Sequence, residues 1–425
     1  MPRTAALELL DAVLNQRHLL DEAANQTTSF NKLAERDRAL AQKITRTVLR
    51  HLGEIDALAA AYLDKPLGKK GIAAKNVIRI GLAQLFFLDI ADHAAVDTAV
   101  DLCRGGSLAP YRKLVNAILR RSQREGAELL AGLDIDRVNT PPWLWDSWLE
   151  AYGGKITRTI AAQHLIEAPL DITAKEDPAH WAEQLEAQLM PTGSLRRMNH
   201  KGTITTLPGF DEGAWWIQDM AASIPARLLG NVADMHVIDL CAAPGGKTME
   251  LAAAGARVMA VDRSEKRLKR VHENLKRTGL NAKVITADAI TWRPAILADA
   301  LLLDVPCSAT GTARRHPDVL RLKQPSDVTK LAALQAKLLS SAVEMVRPGG
   351  LIVYCCCSLQ PEEGEHQIRA LLESGAPVVL DPVRPQEAGT LTDIITEDGF
   401  LRTLPSHLSD QGGMDGFFAA RLRRC

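Results

Sequence analysis

The sequence predicts a multidomain chain: an all-α bundle over 1–125, a small α+β connecting region over 126–215, and a C-terminal α/β domain over 216–425 with a doubly wound, mostly parallel sheet. Three observations carry this. Apolar residues recur at helical spacing through the first part of the chain. That pattern is interrupted at Pro141-Pro142. From Val237 onward, short apolar runs alternate with helical stretches, as in strands buried on both faces and joined by crossover helices. A length of 425 residues suits two or three domains at ~100–200 residues each.

In the first region Leu40, Ile44 and Val48, joined by Leu52, mark one helical face. Val77, Ile80, Leu82 and Leu85 mark a second, and Val96 with Val100, then Leu114, Val115, Ile118 and Leu119, mark others. Pro66-Leu67-Gly68 and Gly105-Gly106-Ser107 separate them. In the connecting region Trp143, Trp145 and Trp148 read as packing at a domain junction. A helix is expected near 179–189, with short strands near 168–173 and 203–207.

In the last region VIDL (237–240), RVMAVD (257–262), KVITAD (283–288), ALLLDV (300–305) and GGLIVYCCCS (349–358) read as strands. Helices are expected at 264–278 and around 327–346. The helix 264–278 turns Leu268, Val271 and Leu275 inward. Its other face carries Arg263, Lys266, Arg267, Lys269, Arg270, Lys276 and Arg277, a solvated face or an RNA contact.

The composition is 46% hydrophobic and 24% charged, ordinary for a globular chain. Lys+Arg 51 balances Asp+Glu 51, so attraction to a nucleic acid must come from local patches. Neither a secretory leader nor a membrane span is apparent. Seven cysteines without zinc spacing read as free thiols, so the expectation is a cytoplasmic protein with no metal.

Cys241, Ala242, Ala243, Pro244, Gly245, Gly246 and Lys247 follow the first strand of the α/β region. Ligands bind outside the strand ends of such sheets, and small residues let them approach the backbone. The P-loop pattern needs a glycine where Cys241 stands, so the loop matches it imperfectly. Asp262 ends the next strand, where a carboxylate accepts bonds from ribose hydroxyls. Asp288 ends the third, within reach of an adenine amino group. These acids also suit helix capping. Together with the loop they favour a nucleotide-type cofactor.

Cys307 and Cys357 stand at two further strand ends. A lone cysteine is usually a small buried hydrophobe; two at ligand-facing strand ends suggest chemistry. Carbon 5 of cytosine is a poor nucleophile until a thiolate adds at carbon 6. Asp304 is placed to stabilise such an adduct, and Lys247 to assist. Cys355 shares a strand face with Cys357 and is the alternative nucleophile.

The stretches DLCAAPGGKT, LLLDVPCSATGTARRHPD, YCCCSLQPEEGE and GGMDGFFAARLRR resemble the RNA 5-methylcytosine methyltransferases, in particular the bacterial 16S rRNA (cytosine-C5) family of RsmB (Fmu/Sun) type. The segment from Arg3 to about Arg121, including HAAVDTAVDLCR and YRKLVNAILRR, is similar to the NusB-like RNA-binding domain such enzymes carry in front. The resemblance implies a Rossmann-like methyltransferase domain that takes S-adenosyl-L-methionine. It implies Cys357 as nucleophile, Cys307 in product release, Cys241 to Lys247 around the methionine part of the cofactor, Asp262 and Asp288 on ribose and adenine, and Asp304 in the Asp-x-Pro-Cys motif. Cys355-Cys356 replace the usual Ala-Thr before the nucleophile, and Leu170 to Lys175 replace an Arg-x-Asn strand.

A duplex hides carbon 6, so the implied 16S rRNA target is an unpaired or flipped cytosine. Arg314 and Arg315 are candidates for clasping phosphates, with surface charge or capping as the other reading. Trp215-Trp216 and Phe417-Phe418 fit core packing better than base stacking. A monomer is expected. The competing functions are a P-loop-like NTPase and a catalytically inactive NusB-like RNA adaptor.

Overall fold

The computed structural model describes residues 1–198, 202–389 and 391–425. It divides into two compact units, Met1–Leu165 with Arg315–Lys323, and Ile166–Arg314 with Gln324–Cys425.

The first unit is helical: α1 (Pro2–Leu14), α2 (Leu20–Gln26), α3 (Thr28–Asn31), α4 (Glu35–Arg50), α5 (Leu52–Ala61), α6 (Ile72–Phe86), α7 (Asp92–Asp101), α8 (Arg112–Ala131), α9 (Ile135–Asn139) and α10 (Pro142–His164). The predicted apolar faces meet in one core that includes Leu9, Leu10, Ile44, Val48, Ile55, Val77, Ile80 and Leu119. The sequence boundary at 125/126 falls inside α8. Pro142 does not end the helical unit; it occupies the first turn of α10, where a missing N–H costs nothing. Trp148 is buried within this unit and meets His164 edge-on, at 5.4 Å between centroids. Arg315–Lys323, with α15 (Val319–Leu322), belongs to the same unit. Asp318 accepts from the Leu20 N–H at 3.0 Å, and Arg321 donates to the carbonyls of Leu49 and Asn139.

The second unit begins with an antiparallel sheet in the order β2 (Gln188–Leu189), β3 (Leu195–Arg197), β1 (Leu170–Ala174), β4 (Trp215–Ile217). The expected helix near 179–189 is α11 (Pro178–Gln184), capped by Asp177, and the chain then extends into β2. The strand expected at 203–207 is instead a 3₁₀ turn, Ile204–Thr206, where the Leu207 N–H bonds the Ile204 carbonyl.

After α12 (Met220–Arg227) the large sheet runs β10 (Val378–Leu380), β12 (Phe417–Arg424), β9 (Val346–Cys356), β8 (Ala298–Asp304), β5 (His236–Leu240), β6 (Arg257–Asp262), β7 (Lys283–Thr286), with β11 (Leu401–Thr403) also paired to β12. Strands β9, β8, β5, β6 and β7 are parallel, and β12 runs against β9. Helices α13 (Gly246–Ala253), α14 (Glu265–Thr278), α16 (Pro325–Met345) and α17 (Glu365–Glu373) belong to this unit. Side chains alternate between two cores: Leu301, Leu303, Tyr354 and Cys356 on one face, Ala300, Leu302, Val353 and Cys355 on the other. Helix α14 starts at Ser264, whose hydroxyl accepts from the Arg267 N–H, and ends at left-handed Gly279. Strand order reverses between β5 and β8, so a crevice opens at their carboxyl ends.

Candidate active site

The loop after β5 is held from both sides. Thr248 donates to Asp239 Oδ2 at 2.5 Å. Burial lifts the Asp239 carboxyl to about 7, and its other oxygen has no partner among the described residues. Asp262 accepts from the Ala243 N–H at 3.2 Å and the Ser264 N–H at 2.9 Å, which pulls the loop onto the end of β6. Gly245 has φ 104°, and a Cβ there would lie 3.3 Å from Val271 Cγ1. Cys241 is half-buried at φ 61°, and burial first, then Asp262 and Asp304, push its thiol up to about 12.

Lys247 reaches from the first turn of α13 to Asp304 Oδ2, 2.8 Å away, and lies over the Phe417 ring at 4.9 Å. Burial is the largest single influence and opposes its charge, but Asp304, Cys355 and Glu250 together outweigh it and hold the ammonium protonated. Strand β7 stops at Thr286, so Asp288 lies two residues past it, exposed, accepting from the Ile290 N–H at 2.9 Å.

The two candidate thiols lie together: Cys307 Sγ is 3.4 Å from Cys357 Sγ. Both are half-buried, whereas Cys355, opposite Asp304 in the β8–β9 ladder, is fully enclosed. The contact with Cys307 and then desolvation push the Cys357 thiol well above its ordinary range. For Cys307 the neighbouring Cys356 contributes most to a shift in the same direction. Gly311 N–H donates to the Cys357 carbonyl at 3.0 Å, and Gly416 N–H to the Gly311 carbonyl at 2.8 Å. A Cβ on Gly311 would lie 1.9 Å from the Gly416 carbonyl oxygen, so this backbone seam admits no side chain there.

Arg314 corrects the sequence reading. It is 1% exposed and binds Asp219, Asp415 Oδ1 at 3.0 Å, and the Gly412 carbonyl at 2.7 Å. Its charge is spent inside the protein and is not offered to phosphate. Arg315 is half-buried and falls in the helical unit. Trp215, Trp216, Phe417 and Phe418 are all buried, with the indole N–H groups bonded to the Pro208 carbonyl and Gln218 Oε1. On the basic face of α14, Arg277 is occupied with the Phe210 carbonyl and ring, and Arg267 with Ala243 and Asp262.

Sequence reasoning missed a buried polar group behind the thiols. Glu363 joins Ser308, Ser358 and Gln335. A Cys-Ser pair after each of two strands, followed by Pro-Glu-Glu, was the available signal.

S-adenosylmethionine fits this set. Pro244 and Asp288 are exposed, Cys241, Gly246 and Asp304 half-buried, and all lie at the carboxyl ends of neighbouring strands. Asp262 is enclosed, with Arg267 Nη1 3.5 Å from it, but that arginine is 56% exposed and has room to swing aside. Such a sheet, with its loop lacking the first P-loop glycine, defines the S-adenosylmethionine-dependent methyltransferase class.

Comparison with known proteins narrows this. Residues 226–423 match the family described as 16S rRNA methyltransferase RsmB/F, and residues 1–124 match the NusB family. Ribosomal RNA small subunit methyltransferase B of Pseudomonas putida is 36% identical over 99% of this chain and 98% of its own. The Vibrio cholerae protein of the same name is 35% identical, covering 99% and 97%. The chain belongs to this methyltransferase B family, and its cofactor is S-adenosylmethionine. Among solved structures, PH0851 covers 100% of this chain and 99% of its own at TM-score 0.75 and 21% identity. NSun6 from Pyrococcus horikoshii covers 67% of this chain and 98% of its own at TM-score 0.56 and 19% identity; both likenesses concern the fold.

Proposed function

We propose that this protein methylates carbon 5 of a cytosine in 16S rRNA through a covalent adduct between Cys357 and carbon 6. The observation that carries this reading is the 3.4 Å approach of the Cys307 and Cys357 sulfurs beside the Lys247–Asp304 pair. Bound S-adenosylmethionine supplies an electrophilic methyl group. Residues 241–247 hold its methionine part, Asp262 its ribose and Asp288 its adenine.

Cys357 adds to carbon 6 as the thiolate, and the ring electrons move toward carbon 5, which becomes enamine-like and nucleophilic. Asp304, oriented by Lys247, bonds the ring nitrogen and amino edge and stabilises the adduct. After methylation the carbon-5 proton leaves, the C5–C6 double bond reforms, and the C6–S bond breaks to return the Cys357 thiolate. Cys307, in contact with Cys357, assists that release. In the free protein the Cys356 contact and burial hold Cys307 protonated, and the Cys307 contact and burial do the same for Cys357; a cationic cofactor nearby favours the thiolate.

The target is unpaired or flipped out, since the attacking sulfur must reach carbon 6. The helical unit and the exposed cations of α14 supply backbone contacts, and Arg315 is kept as a contact while Arg314 is not. A ribosomal RNA substrate places the protein in the cytoplasm. Bisulfite sequencing of 16S rRNA from cells with and without the gene tests the reading: one protected cytosine lost with the gene is expected, and an unchanged pattern overturns it.

A further inference from the structure

The dipeptides Cys307-Ser308 and Cys357-Ser358 follow β8 and β9, and one carboxylate ties them together. Glu363 is 0% exposed. Its Oε1 accepts from the Ser308 backbone N–H at 2.9 Å and from Gln335 Nε2 at 3.0 Å. Its Oε2 accepts from the Ser358 hydroxyl at 2.6 Å and from the Ser308 hydroxyl. Gln335 also donates to the Pro306 carbonyl at 2.9 Å, one residue before Cys307. The Glu363 carbonyl accepts from Tyr354 at 2.6 Å, which fixes the turn carrying it. A carboxylate is acceptor-only and accommodates about four donors, so this group is saturated.

None of the carboxylate's bonds reaches Cys307 or Cys357; the Glu363 carbonyl accepts from Cys356 Sγ at 3.3 Å. Each side-chain bond instead lands on a residue next to a reactive cysteine or on the glutamine that holds the Pro306 carbonyl. Both cysteines lie beyond their strands, where ladder hydrogen bonds no longer fix the backbone. Something else must set the distance between the sulfurs, and a misplacement of ~1 Å costs on the order of 10²-fold in rate.

We propose that Glu363 is the positioning residue for both cysteines, clamping the two Cys-Ser loops onto one buried carboxylate. The role in turnover rests on the two-cysteine reading above; the clamp itself does not. Glutamine retains an acceptor for the Ser308 N–H and Gln335, and its amide can donate to serine hydroxyls that rotate to accept. Alanine removes the acceptor the two loops share: the Ser308 N–H loses its carboxylate, while Gln335 keeps only the Pro306 carbonyl and the two serine hydroxyls are left to each other, 3.0 Å apart.

The test uses the full-length chain and two readouts. Diamide takes two electrons and two protons from a thiol pair, leaving a disulfide and its own hydrazine form, so the rate of Cys307–Cys357 disulfide formation, mapped by peptide mass spectrometry, reports sulfur proximity without any methyl transfer. Steady-state methylation gives kcat and KM. Glu363→Ala is expected to slow disulfide formation and kcat by about tenfold or more, with S-adenosylmethionine affinity and a cooperative melt retained. Glu363→Gln is expected to recover both rates to within roughly threefold of the parent. Should the alanine variant fail to fold, Ser308→Ala removes one link and slows both rates by a smaller factor. Parental disulfide rates in Glu363→Ala or Ser308→Ala overturn the clamp, as does a glutamine variant no better than alanine. Slowed disulfide formation in a protein whose parent leaves cytosine carbon 5 unmethylated supports the clamp and overturns the proposed chemistry instead.

Discussion

In the helical unit the centre around Leu10, Ile44, Ile55 and Leu119 is apolar, and an ion pair such as Arg79–Asp56 keeps its carboxylate partly in solvent, at 30% exposure. The α/β unit encloses charge completely: Arg314, Asp219 and Asp415 are each 1% exposed at the side chain, and Arg196–Asp171 is similarly sealed. Apolar burial is non-directional and supplies stability. Buried ion pairs return little net stability, because desolvation offsets their attraction, but they fix geometry. The difference separates a region built to persist from one built to hold particular atoms in place, and substitutions should sort accordingly.

The largest effect is expected at Cys357. Cys357→Ala should lower kcat by about 10³-fold or more while S-adenosylmethionine affinity stays within a few-fold; equilibrium binding and single-turnover methylation check both. Full residual activity would remove Cys357 from the chemistry. Cys307→Ala should slow turnover less and accumulate a protein–RNA adduct that resists denaturing gel electrophoresis, since release and not attack is impaired.

Arg314→Ala removes the guanidinium that pairs with two buried carboxylates and should cost about 3–5 kcal/mol. Ile44→Ala opens a cavity in the helical core and should cost about 2–5 kcal/mol. The two are comparable in a denaturant titration but should differ at the site: Arg314→Ala also lowers kcat, because Asp415 precedes the Gly416 seam against the Cys357 loop, whereas Ile44→Ala leaves the isolated methyl-transfer step unchanged. Equal effects of both on that step would erase the distinction.

The remaining effect is a pH dependence of stability, which leaves the methyl-transfer step itself untouched. Burial raises Asp239 from 3.8 to about 7 and Glu250 from 4.5 to about 8. Between those limits the folded state holds protons that the unfolded chain has released, so the two groups favour folding fully at the acid end of the window and progressively less as pH rises through 7 and 8. Melting of the α/β unit should therefore occur at higher temperature at pH 5 than at pH 8, and Asp239→Asn should flatten the trend. An opposite slope that survives in Asp239→Asn would contradict this.

Periodicity made much of this architecture legible in advance. The strand runs from Val237 to Cys357 and the helix at 264–278 lie where their apolar spacing put them, because burial on one or two faces leaves a mark every second or every third to fourth residue. The same-face relation of Cys355 and Cys357 followed from that period. What the sequence concealed was pairing over distance. Arg314 reads locally as a surface cation in an Arg-Arg-His run; its burial depends on Asp219 and Asp415, 95 and 101 residues away. Glu363 meets Ser308 across 55 residues. Helix α10 was obscured by a proline pair that begins a helix as readily as it ends a domain.

The most direct test of the central claim replaces cytidine with 5-fluorocytidine in the 16S rRNA substrate. Fluorine takes the place of the proton that must leave carbon 5, so elimination is blocked and the adduct persists after methyl transfer. Incubation with S-adenosylmethionine, digestion and mass spectrometry should recover a methylated fluorocytosine attached to Cys357. Recovery of the attachment on Cys355 or Cys307, or of no attachment at all from a protein that methylates the unmodified RNA, would contradict the account.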